Sequence, residues 1–151
     1  MSQPTLIVLC GLPASGKSTH ARSIAGPSAA VIVSNDRIRT VGANPAQMMQ
    51  WLYSETTRLL GQGTSVIADT CALRPFERTR LRDIGRRAGA RCVLVFVNTP
   101  WRLCCERNAE RDRPAHIKWL RAAKTLHDAH EDTKTQHRLW DDVRVVVGVT
   151  P

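Results

Sequence analysis

The chain contains no apolar run near the roughly 18 residues that a membrane span requires. Its opening stretch, "MSQPTLIVLCGLP", lacks the basic cluster that begins a secretory leader. A cytoplasmic protein with no membrane partner is the expectation. The five cysteines (Cys10, Cys71, Cys92, Cys104, Cys105) are odd in number and form no C-x-x-C, which argues against a disulfide framework or a zinc site. They read as reduced, mainly buried thiols. Acidic residues are in short supply, 13 against 22 Lys and Arg, so the net charge of +9 favours polyanionic partners, nucleic acid among them. Internal repeats, low-complexity tracts and linkers are also missing, and 151 residues make one domain, 1–151, with a single core.

What is present is a strict alternation. Apolar, β-branched runs recur at "TLIVLC" (5–10), "AAVIVS" (29–34), "SVIAD" (65–69), "CVLVFV" (92–97) and "VRVVVGV" (143–149). Continuous apolar runs suit strands covered on both faces, as in a parallel sheet. Between them lie segments long enough for crossover helices. "NPAQMMQWLYSETTRLLGQG" offers Asn44 as N-cap, Pro45 at the first helical position and Gly61 as a stop. "RPFERTRLRDIGRRAGA" carries Leu81, Ile84 and Ala88 on one stripe and ends at Gly89. The pattern predicts an α/β fold: an open, parallel, five-stranded sheet with helices on both faces.

After the first strand comes "GLPASGKST", in which Gly11-x4-Gly16-Lys17-Ser18 satisfies G-x-x-x-x-G-K-[ST] in its required strand-to-helix context. Backbone N–H groups must approach phosphate oxygens closely, so glycine is needed where a side chain would intrude. Lys17 would reach the β- and γ-phosphates, and the Ser18 hydroxyl could ligate Mg²⁺. ATP and Mg²⁺ are the expected cofactors, with Gly11, Ala14, Ser15, Gly16, Lys17, Ser18 and Thr19 as the ATP-binding set. A guanine-specific N/T-K-x-D motif is absent, since "DTKTQ" lacks the aspartate; a GTPase switch is set aside. A small P-loop phosphotransferase fits what remains.

The second strand leads into "SNDRIR", which puts Asp36 at the carboxyl edge of the sheet. There it could accept the proton of an acceptor hydroxyl, as general base, or simply cap the next helix. Arg39 could hold an anionic group of the acceptor. "VIAD" ends at Asp69, a carboxylate able to hold a Mg²⁺-bound water, although many buried strands end in Asp at a turn. "ERNAERDRP" places Arg107 and Arg111 at i and i+4, on one side of a helix, where they could stabilise transferred phosphate or form exposed ion pairs.

Taken in order, "GLPASGKSTHAR", "SNDRIR", "IADTC", "TPW" and "ERNAER" resemble the polynucleotide 5'-hydroxyl kinase family of P-loop phosphotransferases. The resemblance implies an adenylate-kinase-like sheet with a helical lid, ATP and Mg²⁺ as donor, and a nucleic acid with a 5'-hydroxyl end, DNA or RNA, as acceptor. It also implies Lys17, Asp36 and Arg111 as catalytic residues, with Arg107 joining Arg111 on ATP. Arg39, Asp69 and Arg74 would then serve the acceptor, and Ser18 and Asp69 the metal, Asp69 through water. A D-x-D-G-T phosphatase signature is absent, so no 3'-phosphatase activity is expected.

Arg74, Arg78, Arg82 and Arg86 recur every four residues and are expected to form an exposed ridge opposite the apolar stripe, fit for a nucleic-acid backbone or merely solvated. Trp101 and Trp119 flank the lid and either pack or stack on a base. Segments 40–62 and 114–140, which would shape the acceptor pocket, carry no assignable motif. Three readings stand: a nucleic-acid end kinase, favoured here by the motif order and charge; a small-molecule kinase; and a nucleotide-binding module without turnover.

Overall fold

The computed structural model describes residues 2–35, 38, 42–129 and 133–147. Strands β1 (Thr5–Cys10), β2 (Val31–Ser34), β3 (Val66–Asp69), β4 (Arg91–Asn98) and β5 (Asp142–Val147) form one parallel sheet in the order β2-β3-β1-β4-β5. The five expected strands are therefore all present, with ends shifted by a residue or two. Gly148 and Val149, which the apolar pattern assigned to the last strand, lie outside the described residues. Helices α1 (Lys17–Ser28), α2 (Pro45–Gly61), α3 (Pro75–Arg87), α4 (Trp101–Ala109), α5 (Ile117–Ala129) and α6 (Thr133–Leu139) make the connections.

Burial explains why these runs are strands without alternation. On one side of the sheet Leu6, Val8 and Cys10 pack with Leu52, Leu60 and Leu81 from α2 and α3. On the other, Leu9 packs with Val93 and Val95 of β4 and with Ala21 and Ile24 of α1. Gly85 makes the approach of α3 possible: a Cβ there would meet Cys92 Sγ at 2.5 Å and Leu6 Cδ2 at 3.0 Å.

The helix signals in the sequence are realised in detail at α2. Asn44 Oδ1 accepts from the Gln47 amide at 2.9 Å, Gln47 Oε1 accepts from the Asn44 amide at 2.9 Å, and Pro45 opens the helix. α3 ends at Arg87, with Gly89 in the left-handed region at φ 69°.

The arginine ridge is corrected. Arg78 is buried, 3% exposed, and its guanidinium donates to the Ala72 carbonyl at 2.7 Å. A step of three carries Arg78 onto the face of Leu81, which is inside the core, so counting by fours crossed from surface to interior. Arg86 is held by both carboxylate oxygens of Asp141, at 2.8 and 2.9 Å. Arg74 and Arg86 are exposed as expected, and further exposed cations fall on the α2–α3 side, where Arg80 stacks over the Tyr53 ring at 4.6 Å.

For the site, topology matters most. From β1 the chain moves to β2 on one side, and from β3 it crosses to β4 on the other, so the carboxyl ends of β1 and β3 flank a switch point. Loops after Cys10, Ser34 and Asp69 converge there.

Candidate functional site

The loop after β1 is strained into its shape. Ala14 (φ 62°) and Gly16 (φ 97°) both adopt left-handed backbone; glycine takes it freely, but for Ala14 it is a cost that persists only where the surroundings enforce it. Gly11 has no room for a side chain: a Cβ would lie 2.8 Å from the Val97 carbonyl oxygen and 3.0 Å from Ser15 Oγ. Two contacts hold the loop in place. The Gly11 amide donates to the Cys71 carbonyl at 3.1 Å, and the Thr99 hydroxyl, buried after β4, donates to the Ser15 carbonyl at 2.5 Å. Thus the expected phosphate loop is clamped by the turns following β3 and β4.

Its polar groups point where an anion would sit. α1 begins without a side-chain cap and without an acidic residue in its first turn, so its free N–H groups and partial positive charge face the loop. Lys17, 8% exposed, donates to the Gly11 carbonyl at 3.2 Å and the Leu12 carbonyl at 2.8 Å. Those carbonyls occupy the ammonium donors that phosphate oxygens would take. Among the described residues Ser15 Oγ and Arg107 Nη1 are buried with no hydrogen-bond partner, as expected of groups that await a ligand.

The Ser18 hydroxyl donates to Asp69 Oδ2 at 2.7 Å. A hydroxyl and a carboxylate oxygen, side by side beneath a phosphate loop, are the hard donors that Mg²⁺ prefers, and Mg²⁺ takes few protein ligands beside water and phosphate. The pair fits that ion. Among the described residues no cluster of three or more His, Cys, Asp or Glu offers a metal an alternative.

A cavity of about 800 Å³ joins these parts. Ala14, Ser15, Gly16, Lys17, Ser18, Thr19, Asp69, Arg74, Arg107 and Arg111 all line it, so most of the expected site residues are brought together. Gly11 lies beneath, against Val97 and Ser15. Asp36 and Arg39 lie outside the described residues. Arg111 is placed differently from expectation: α4 stops at Ala109, and Arg111 sits in the following loop. Asn108 causes this, since its side chain accepts from the Ala115 amide and donates to the Ala115 carbonyl, both at 2.9 Å, pinching residues 109–114 into a closed loop. Arg107 and Arg111 therefore meet the cavity from a helix and from a loop.

Several lining residues were not singled out as site residues: Asn35, Thr70 and Cys71, within the quoted "SNDRIR" and "IADTC", and Met48, Met49 and Glu77, which carried no motif. Burial holds the Glu77 carboxyl above its ordinary range, against the Arg74 amide and the Arg74 and Arg78 charges. Beneath the site, burial pushes the Cys10 thiol up to about 11 despite Arg78 and Lys17 nearby, so it is no nucleophile. Trp119 lines the cavity and is 44% exposed, which makes it available for stacking rather than committed to the core.

Comparison with known proteins places this geometry. No curated protein matches the sequence significantly. Among solved structures, Chaetomium thermophilum Kti12 in complex with ADP-AlF3 superposes with a TM-score of 0.76 at 21% identity, over 94% of this chain and 88% of that one. A gluconokinase from Sinorhizobium meliloti gives 0.64 at 22%, over 100% and 86%. The Mycobacterium tuberculosis APS kinase CysC with AMPPNP and APS gives 0.60 at 21%, over 72% and 70%. At such identities the likeness establishes the fold, that of P-loop kinases. The AAA domain family model matches residues 6–133, most of the chain and the whole of the phosphate site, and this protein belongs to that family.

Proposed function

We propose that the protein is an ATP-dependent phosphotransferase that moves the γ-phosphate to a hydroxyl of a small molecule. The observation that carries this is the continuity of the cavity: beyond Lys17, Ser18 and Asp69 it extends to Asn35, Met48, Met49 and Leu73, leaving room for a second substrate beside the nucleotide. A binding module without turnover needs no such compartment. Small-molecule kinases of this fold, the gluconokinase and the APS kinase, lend the reading support.

Mg²⁺-ATP would supply the phosphoryl group and the charge neutralisation for its transfer. Lys17 would exchange its loop carbonyls for phosphate oxygens. Ser18 and Asp69 would hold the metal, Asp69 through water, and Arg107 and Arg111 would brace the transferred group from the lid. Asp36, next to cavity-lining Asn35 in sequence, is the proposed general base, with Arg39 toward the acceptor.

Transfer to the 5'-hydroxyl of a nucleic acid is the second reading. A separate groove of about 860 Å³ between α2 and α3, lined by Arg58, Arg80, Arg87 and exposed Phe76, favours it, together with the net charge of +9.

One assay ranks the two: transfer of labelled γ-phosphate from ATP to a panel of small alcohols and to 5'-hydroxyl DNA and RNA oligonucleotides. Labelled small alcohols, with transfer reduced about 10³-fold in Lys17→Ala, is the expected result. Label confined to oligonucleotides would reverse the ranking. ATP binding without label on any acceptor would overturn both.

A further inference from the structure

Helix α4 carries a polar residue on its inward face. Cys104 and Asn108 lie one turn apart and are both buried, at 0% and 7% exposed, so Asn108 stands where an apolar side chain would ordinarily pack. Its amide is spent on the backbone. Oδ1 accepts from the Ala115 amide and Nδ2 donates to the Ala115 carbonyl, both at 2.9 Å, so one side chain satisfies both polar groups of a residue seven positions on.

The residues between, 109–114, are all exposed, and packing does little to shape them. Turn bonds from the Glu110 amide to the Arg107 carbonyl and from the Arg111 amide to the Asn108 carbonyl, 3.2 Å each, wind only the start of the loop. Asn108 closes the rest. Beyond Ala115, His116 Nδ1 accepts from the Lys118 amide at 3.1 Å and Leu120 of α5 is inside the core, so the far end of the loop is anchored too. The clasp therefore ties together two fixed helices.

What the closed loop carries is Arg111. With Arg107, it lines the cavity that also holds Ser15, Lys17, Ser18 and Asp69. An arginine on an open, exposed loop would have to be ordered each time an anion arrived, whereas a loop already closed has met that entropy cost on folding. Only a carboxamide closes it from this position. Aspartate would keep an acceptor for the Ala115 amide but set a second oxygen against the Ala115 carbonyl, and alanine would offer neither group.

We propose that Asn108 is a positioning residue: by holding Ala115 it presents Arg111 to the phosphate end of the cavity, beside Arg107. Opening the clasp withdraws Arg111 and leaves the phosphate loop intact. That Arg111 then stabilises a phosphoryl group in transfer rests on the phosphotransferase reading. That Asn108 sets the place of Arg111 does not.

The test is a double-mutant cycle on the full chain with Mg²⁺ present: parent, Asn108→Ala, Arg111→Ala and the double variant, with Asn108→Asp as the variant of nearly unchanged shape. Three quantities are read: kcat for transfer of the ATP γ-phosphate to water, affinity for ADP, and the NMR order parameter of the Arg111 amide. Each single variant is expected to lower kcat about tenfold or more and to leave ADP affinity within about twofold. The double variant should be no slower than Arg111→Ala. The order parameter should fall from about 0.85 in the parent to below about 0.6 in both Asn108 variants. Thermal melts confirm the fold, and if Asn108→Ala does not fold the cycle is run with Asn108→Asp. Losses in kcat that add in the double variant would overturn the proposal, because Asn108 would then act apart from Arg111. So would an unchanged order parameter, or ADP affinity falling as far as kcat. A parent that transfers no phosphate would count against the phosphotransferase reading, and the order parameters would still decide whether Asn108 holds Arg111 in place.

Discussion

The two ends of the cavity differ in how they are built. The phosphate end is dense with hydrogen bonds: Gly11 to Cys71, Thr99 to Ser15, Ser18 to Asp69, and Lys17 to two carbonyls of its own loop. The rest of the wall, proposed for the acceptor, includes the Met48 and Met49 thioethers, the Trp119 indole, Arg74, Glu77 and Asn35, whose Oδ1 has no partner among the described residues. Phosphate is the same ligand in every ATP, so its site can be fixed by backbone geometry and a strained loop. Acceptors vary, and a wall of side chains on separate helices can be exchanged residue by residue without disturbing the loop. On the proposed reading, the difference teaches that identity of the donor is written into the backbone and identity of the acceptor into packing.

The largest expected effect tests the phosphate end. Asp69→Ala removes the carboxylate that accepts from Ser18 at 2.7 Å and, on the proposed reading, the group that would hold Mg²⁺ through water. Steady-state kinetics should show kcat reduced about 10²- to 10³-fold, with rising Mg²⁺ failing to restore it. A loss of less than about tenfold would mean that the metal is held elsewhere, and the contrast between the two ends would lose its chemical basis.

The same contrast explains what the sequence made legible. Gly11 to Thr19 could be read because one short segment holds the whole phosphate cradle and each position answers a steric or electrostatic demand. Asp69 could be read because a carboxylate ends a buried strand beside that segment. The five strands, the Asn44 cap and the Gly89 stop were readable for equally local reasons, whereas α2 runs through Gly61 and it is Gly63 that takes the left-handed backbone. Arg111 was found but set on a helix that Asn108 ends early by bridging to Ala115, a side-chain contact that no periodicity announces. Arg78 was set on the surface although it shares a face with Leu81. Asn35, Met48, Met49 and Glu77 are ordinary residues of three local contexts, and only the parallel topology gathers them. The faint signal available was position: Asn35 ends the chain's exit from β2, and the two methionines fall in the first turns of α2, both at the carboxyl edge of the sheet.

A smaller effect separates positioning from chemistry. Thr99→Val keeps the shape of a buried side chain and removes the donor to the Ser15 carbonyl. The orphaned carbonyl and the loosened loop should cost roughly 1–2 kcal/mol. We expect the KM for ATP to rise about tenfold and the thermal midpoint to fall by a few degrees, while the acceptor KM changes little. If the acceptor KM rose equally, the loop would be shaping both ends, and they could not be treated as independent.

The smallest effect probes the acceptor end through stability. Burial raises the Glu77 carboxyl above its ordinary range, outweighing the Arg74 amide and the neighbouring arginines. An acid whose folded pKa is raised carries a cost that is full above the folded value and disappears as pH falls below the unfolded value. Glu77→Gln keeps an oxygen able to accept from the Arg74 amide, now at 3.4 Å, and removes the buried charge. The variant should therefore be more stable than the parent at pH 7, with the gain shrinking as the pH falls through the carboxylate range. Denaturant titrations at the two pH values measure it. A gain at pH 7 alone would show that the acceptor end holds a charge against its own stability, as groups kept for a ligand do; no gain would mean that Glu77 is as well settled as the hydrogen bonds of the phosphate end.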